Sequence, residues 1–144
     1  MSALLDTNIL LRLLDKQSSE HPKCADAIRT LQGQDEQLIV VPQNVYEFWA
    51  VVTRPATSNG YGLNGQAAEF LVNDLLINFD LFTDVPQVFE YWLELVVKHG
   101  VSGNPAHDAR LVAAMRAHSI DALLTLNSGD FKRYGIKVLE PETV

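Results

Sequence analysis

The sequence predicts an α/β protein, a three-layer α/β/α sandwich around a mainly parallel central sheet. Three observations carry that expectation. Leu38–Val41 is a continuous apolar run and Ala122–Leu126 is apolar but for Thr125, rather than alternating, as strands covered on both faces are. Longer segments between such runs carry apolar residues at helical spacing. Strands and helices alternate along the chain, the pattern that builds parallel sheets. The length, 144 residues, suits one domain over 1–144 with a core that needs no staples.

Taken in order, Ala3–Leu5 is short and apolar, and Asp6-Thr7-Asn8 offers capping side chains before Ile9–Leu14. That reads as a strand running straight into a helix. Pro22 opens a second helix to about Leu31, with Gly33 expected to stop it. Leu38–Val41 is a buried strand, and Pro42 begins a helix that ends near Thr53, before Pro55. Residues 54–65 are dense in turn formers and form the longest loop. Asn64 caps a helix over about Gln66–Ile77, Leu81–Thr83 is a short strand, and Asp84 with Pro86 opens a helix to Lys98, closed by Gly100. Asn104 and Pro105 are an N-cap and a first-turn proline for a helix to about His118. Ala122–Leu126 is a strand, Asn127–Gly129 a turn, Phe131–Tyr134 a helical turn and Lys137–Leu139 an edge strand.

Composition excludes several classes. Hydrophobic residues are 47% and charged ones 20%, so the chain is not disordered. One cysteine, Cys24, rules out an internal disulfide framework and a Cys-based zinc site, and fits a reducing compartment such as the cytoplasm. Lys and Arg number 11 against 18 Asp and Glu, a net charge of −7. That balance argues against holding nucleic acid mainly by a broad basic face, though not against contact with phosphates through metal ions. The opening residues lack a basic n-region, and no apolar stretch is long enough for a membrane helix, so neither a signal peptide nor a membrane span is expected.

The carboxylates are the informative residues. Asp6 falls at the end of the first strand, where ligands of open α/β sheets gather, and an N-cap explains it equally well. Glu47 is the only charged residue between Pro42 and Thr53, in a helix apolar nearly all round. Burial there demands compensation, either a salt bridge (Arg54 is near) or a metal or catalytic role. Asp108 shares a helix face with Leu111, Val112 and Met115, so it aims inward from the first turn, unless it merely complements the helix dipole. Asp130 and Asn127 stand after the strand Ala122–Leu126, where turn residues are ordinary. Carboxylates sharing a pocket repel unless a cation neutralises them, and an oxygen donor set without cysteine favours Mg²⁺ or Mn²⁺. The matching chemistry is metal-assisted phosphodiester hydrolysis.

Leu4-Leu5-Asp6-Thr7-Asn8-Ile9-Leu10 resembles the opening signature of the PIN-domain ribonucleases. Tyr46-Glu47-Phe48-Trp49-Ala50-Val51 with Thr53-Arg54-Pro55, His107–Met115, Leu124–Phe131 and the tail Val138–Pro141 resemble their later blocks, in family order and across nearly the whole chain. Within that family the chain is most similar to the VapC toxins of bacterial type II toxin–antitoxin systems. The resemblance implies a PIN-like fold and a cytoplasmic endoribonuclease that needs Mg²⁺, with Mn²⁺ able to substitute. It also implies an antitoxin partner and a homodimer. It carries metal ligation onto Asp6 and Asp108 and catalytic roles onto Asp6, Glu47, Asp108 and Asp130. Thr7 is a polar residue of the site, and Asn127, where many relatives have Asp, supports the metal or its water. That amide weakens the case for a second metal.

RNA contacts must be few and local. Arg54, Arg12 and Arg110 are candidates because they stand near the acidic blocks, with Lys132 and Arg133 behind them, although a solvated surface cation is the better reading of any single one. Tyr61 either stacks on a base or packs down on the protein. Phe89, Trp92, Leu93, Val96 and Val97 read as core or dimer surface, Cys24 as core, and the four histidines as too scattered for a ligand set. The competing functions are a catalytically weakened PIN-fold protein-binding module, a DNA-directed nuclease of the same superfamily, and an aspartate-nucleophile phosphatase. The last wants a second Asp where Asn8 stands.

Overall fold

A computed structural model describes all residues, 1–144. Five parallel strands form one sheet: β1 (Ser2–Leu5), β2 (Gln37–Val40), β3 (Asp80–Leu81), β4 (Ala122–Leu124) and β5 (Lys137–Leu139). Their spatial order is β3-β2-β1-β4-β5. The helices are α1 (Thr7–Leu14), α2 (His21–Gly33), α3 (Pro42–Thr53), α4 (Gly65–Asn78), α5 (Pro86–Lys98) and α6 (Pro105–His118). Short 3₁₀ turns occupy Ala56–Ser58, Ser128–Tyr134 and Pro141–Thr143. The expected α/β/α sandwich is what forms, with the sheet parallel throughout.

Strand pleating sorts the apolar runs into two cores. Ala3, Leu5, Leu38 and Val40 face α1–α4, together with Ile9, Leu10, Phe48 and Val52. Leu4, Ile39 and Leu123 face the opposite way, onto Val88, Leu95, Leu111, Val112 and Met115 of α5 and α6. Because both faces are buried, no position on these strands needs to be polar, which explains the unbroken apolar runs. Each such leucine or isoleucine contributes about 1.5–3 kcal/mol of transfer free energy. Cys24 is fully buried among them, as expected.

The chain travels outward from β1 to β2 and β3, then returns to place β4 on the other side of β1. Between β1 and β4 the direction of winding reverses, so their carboxyl ends flank a crevice, the usual binding place in open α/β sheets.

Three local expectations are corrected, the first being that β3 covers Asp80–Leu81 rather than Leu81–Thr83. Gly33 is the last residue of α2 rather than its stop; the left-handed residue after the helix is Asp35, at φ 57°. Asn104 occupies the N-cap position of α6 without donating or accepting a capping bond, since its backbone is already helical. Asn64 does cap α4, accepting from the Ala67 amide at 2.9 Å. The stretch 54–65 is tightly folded: Gly62 and Leu63 amides donate to the Arg54 and Val52 carbonyls at 2.8 and 2.9 Å. Gly60 lies so close to the Arg54 backbone that a Cβ there would collide with it.

Candidate active site

Asp6 leaves β1 in extended conformation and accepts the first amide of α1, Thr7 N, at 2.7 Å through Oδ1. Its Oδ2 accepts from the Thr125 hydroxyl at 2.7 Å, across the crevice between β1 and β4. The carboxylate is only 8% exposed. Burial pushes its pKa up to about 6, against the two hydrogen bonds and with help from the charges of Asp108 and Glu47. Asp6 is therefore both the helix cap and a carboxyl group whose charge is disfavoured first by burial and then by its neighbours.

Glu47 arrives from the next layer. Its Oε1 accepts from the Thr7 hydroxyl at 2.8 Å, and that hydroxyl accepts from Asn44 Nδ2 at 3.2 Å. Asn44 is fully buried; its amide group also donates to the Leu5 carbonyl at 3.0 Å and its Oδ1 accepts from the Val41 amide at 2.8 Å. One turn of α3 thus fixes the end of β1, Thr7 and Glu47 together. The expectation of a buried α3 is corrected: Tyr46 and Trp49 are 64% and 40% exposed, and Glu47 is half-buried. No salt bridge compensates it.

Asp108 stands half-buried in the first turn of α6 with no hydrogen-bond donor on its carboxylate. Its pKa is raised by burial first, then by the charges of Asp130 and Glu47, with His107 opposing. Gln43, 4% exposed, ties the layers by donating Nε2 to the His107 carbonyl at 2.8 Å. Glu47, Asp108 and Asp130 line one cavity of about 410 Å³ with Asn104, Pro105, His107 and Arg133. Asp6 sits behind it, coupled to Glu47 and Asp108 by charge.

Not every candidate joins them. Asn127 is exposed and its backbone amide, not its side chain, meets the site by donating to Thr125 Oγ1 at 3.0 Å. Arg12 pairs with Glu20 at 3.3 Å, Arg110 pairs with Asp84 at 3.0 Å, and Arg54 is exposed at the end of α3. The cation that lines the acidic cavity is Arg133. Tyr61 packs on the α1–α4 core and donates to Asp15 at 3.2 Å, the packing alternative of the two. Asn44, Gln43 and Thr125 are the residues that sequence reasoning passed over. Their signal was present: two amides opening an otherwise apolar helix, and a lone hydroxyl at the end of an apolar strand.

As they stand, no three His, Cys, Asp or Glu side chains are close enough to hold a metal ion. The donor set nonetheless fits a hard divalent cation: oxygens only, with two carboxyl groups pushed toward protonation by burial and then by neighbouring charge. Asp6 and Asp108 would hold such an ion, with Glu47 beside them.

A model of the PIN domain matches residues 3–137. Searching curated proteins by sequence yields no match. Among solved structures, FitAcB from Neisseria gonorrhoeae is similar at TM-score 0.70 and 22% identity, covering 99% of both chains. VapBC2 from Rickettsia felis, bound to a DNA fragment from its promoter, matches at TM-score 0.71 and 16% identity over 97% of this chain and 98% of that one. VapC20 from Mycobacterium tuberculosis, a Sarcin-Ricin loop cleaving toxin, matches at TM-score 0.66 and 17% identity over 93% and 95%. At these identities the likeness is one of fold, whereas the domain match spans most of the sequence. The chain belongs to the PIN-domain family.

Proposed function

We propose that the protein is a single-domain, divalent-metal-dependent endoribonuclease, the toxin of a type II toxin–antitoxin pair, acting in the cytoplasm on RNA phosphodiester bonds. The observation that carries this reading is the convergence of Asp6, Glu47 and Asp108 from β1, α3 and α6 at the reversal point of the sheet, beside a cavity lined almost wholly by polar side chains. A bound Mg²⁺, or Mn²⁺ in its place, supplies charge neutralisation and an activated water for hydrolysis. The chain's own groups do the rest. Asp6 and Asp108 would hold the cation, while Glu47, held by Thr7, and Asp130 would orient the attacking water, one of the two carboxylates taking its proton. Arg133 offers a guanidinium to the phosphate in an otherwise acidic cavity.

Partners are part of the proposal. Phe70 and Ile77 of α4 are 72% and 82% exposed, and Leu93 and Val97 of α5 are 46% and 73% exposed. These apolar side chains give an antitoxin and a second copy of the chain surfaces to cover. FitAcB and VapBC2 carry the names of paired assemblies, which supports an antitoxin here. No helix is long and apolar enough to cross a membrane.

The test is cleavage of total cellular RNA, with 5′ ends mapped, by wild type in Mg²⁺, Mn²⁺ or EDTA and by Asp108→Asn. Discrete metal-dependent cuts lost in the variant are expected. Folded protein that cuts DNA instead, or binds no metal and cuts nothing, overturns the reading.

A further inference from the structure

A second cavity, of about 420 Å³, lies against the first. His107 lines both, so the two share a wall in the first turn of α6. Its chemistry is unlike its neighbour's. Val88, Phe89 and Trp92 make an apolar side, and the Asp84–Arg110 pair lines the cavity as well. We propose that this is a nucleobase pocket, which takes a guanine of the bound RNA next to the scissile phosphate; the assignment rests on the ribonuclease reading above.

The aromatic side is built for stacking rather than for hydrogen bonding. Trp92 spends its indole N–H on the Ala106 carbonyl at 2.8 Å, which fixes the ring and leaves only its apolar surface to a ligand. Phe89 stands 6.2 Å away, centroid to centroid, tilted by 34°, and is 64% exposed. Unpaired bases of single-stranded RNA bind to such aromatic surfaces.

The polar groups favour one base. Arg110 Nη2 donates to Asp84 Oδ2 at 3.0 Å, which uses one of the five N–H donors of the guanidinium and leaves the carboxylate further lone pairs. A ligand therefore meets donors and acceptors side by side. Guanine presents O6 and N7 as acceptors and N1–H with N2–H₂ as adjacent donors, so it satisfies both partners. Adenine has no second adjacent donor for the carboxylate, and the pyrimidines offer less ring to stack. The ion pair is also neutral in sum. A chain of net charge −7 gains selectivity there without adding further repulsion toward RNA.

The experiment uses full-length protein labelled with 5-fluorotryptophan and read by fluorine NMR, with Trp49 as internal control and Trp49→Phe for assignment. Guanosine, adenosine, cytidine and uridine 5′-monophosphates are titrated with and without Mg²⁺. Guanosine monophosphate is expected to shift the Trp92 resonance saturably and to bind roughly tenfold tighter than the pyrimidines, and Phe89→Ala or Arg110→Ala to weaken it by about tenfold. Glu69→Gln, on α4, leaves it unchanged. Equal shifts from all four nucleotides, or indifference to Phe89→Ala, overturn the pocket. So does absence of nucleotide binding in a protein whose dimer, seen by sedimentation, dissociates on Phe89→Ala, because the cavity then belongs to a second copy. Cleavage mapping separates the two readings. Metal-dependent cuts without guanine beside them sink the pocket and keep the ribonuclease; guanosine monophosphate binding without cleavage does the reverse.

Discussion

Asp6 and Asp108 bring the same functional group to one site, one from the end of a sheet strand and the other from a helix, yet the fold treats them differently. Asp6 is sealed at the end of β1 and both of its oxygens accept hydrogen bonds that also cap α1 and join β1 to β4. Asp108 is half-buried at the start of α6, and nothing donates to it. The lesson is that the two cannot be equivalent on substitution. One is woven into the architecture; the other is there only for what it binds.

The sharpest break in the comparison is Asp108→Asn. Cleavage should fall at least roughly a hundredfold, more than an outer-shell change costs, while the metal-free protein melts no lower than wild type. A large drop in melting temperature would assign Asp108 a structural role and erase the contrast.

Asp6→Asn tests the other half through pH. Its folded pKa of about 6 exceeds the ordinary 3.8, so the folded state holds the proton more tightly. The resulting stabilisation is complete below about pH 4 and is lost as pH rises through about 6, leaving the metal-free protein about 2–3 kcal/mol poorer at pH 7.5 than in acid. Asn carries no charge to lose. The variant should therefore melt roughly 5–10 °C above wild type at pH 7.5 and close to it at pH 4.5, as calorimetry would show. Added Mg²⁺ should raise the wild-type melting temperature and not that of Asp6→Asn, because only a bound ion stabilises by linkage.

Asn44→Ala asks whether the sealed region depends on its support. The buried Val41 amide loses its acceptor and the Thr7 hydroxyl its donor. The expected loss is about 1–3 kcal/mol in denaturant unfolding, with Glu47 freed to swing and cleavage reduced. No loss of stability would mean that water replaces the amide.

These contrasts also mark what was readable in the sequence. β1, β2 and β4 followed from apolar runs, since local pattern and burial agree there; the bounds of α3 from Pro42 to Thr53 followed from its prolines, although its exposed face did not. The carboxylates stood out because a charge in an apolar run is costly wherever it lies. The supporting network was harder to see. Asn44, Gln43 and Thr125 act across 37 to 119 positions of sequence, and short polar side chains at element ends look locally like caps. Arg54 was favoured over Arg133 for a similar reason. Proximity in sequence to Glu47 says nothing about which cation the sheet order brings to the cavity, and it brings Arg133.

Thr125→Val is the smallest and most discriminating change. It keeps the shape of the side chain and removes one hydroxyl, the group that donates to Asp6 Oδ2 and accepts the Asn127 amide. That hydrogen bond holds the Asp6 pKa down against burial, so without it the pKa moves further above about 6. A proton then competes better for the carboxylate that would bind the cation. Divalent-ion affinity near pH 7 should fall about tenfold, and the cleavage–pH profile at subsaturating Mg²⁺ should move to higher pH. Thr125→Ser, which keeps the donor, should restore both. Asp108 has no hydrogen-bonded neighbour whose removal shifts its proton affinity in this way, so the same substitution pattern around α6 should leave the profile in place. If Thr125→Val lowers stability by about 1 kcal/mol and the profile does not move, then Thr125 only joins β1 to β4, and proton competition at Asp6 plays no part in metal binding.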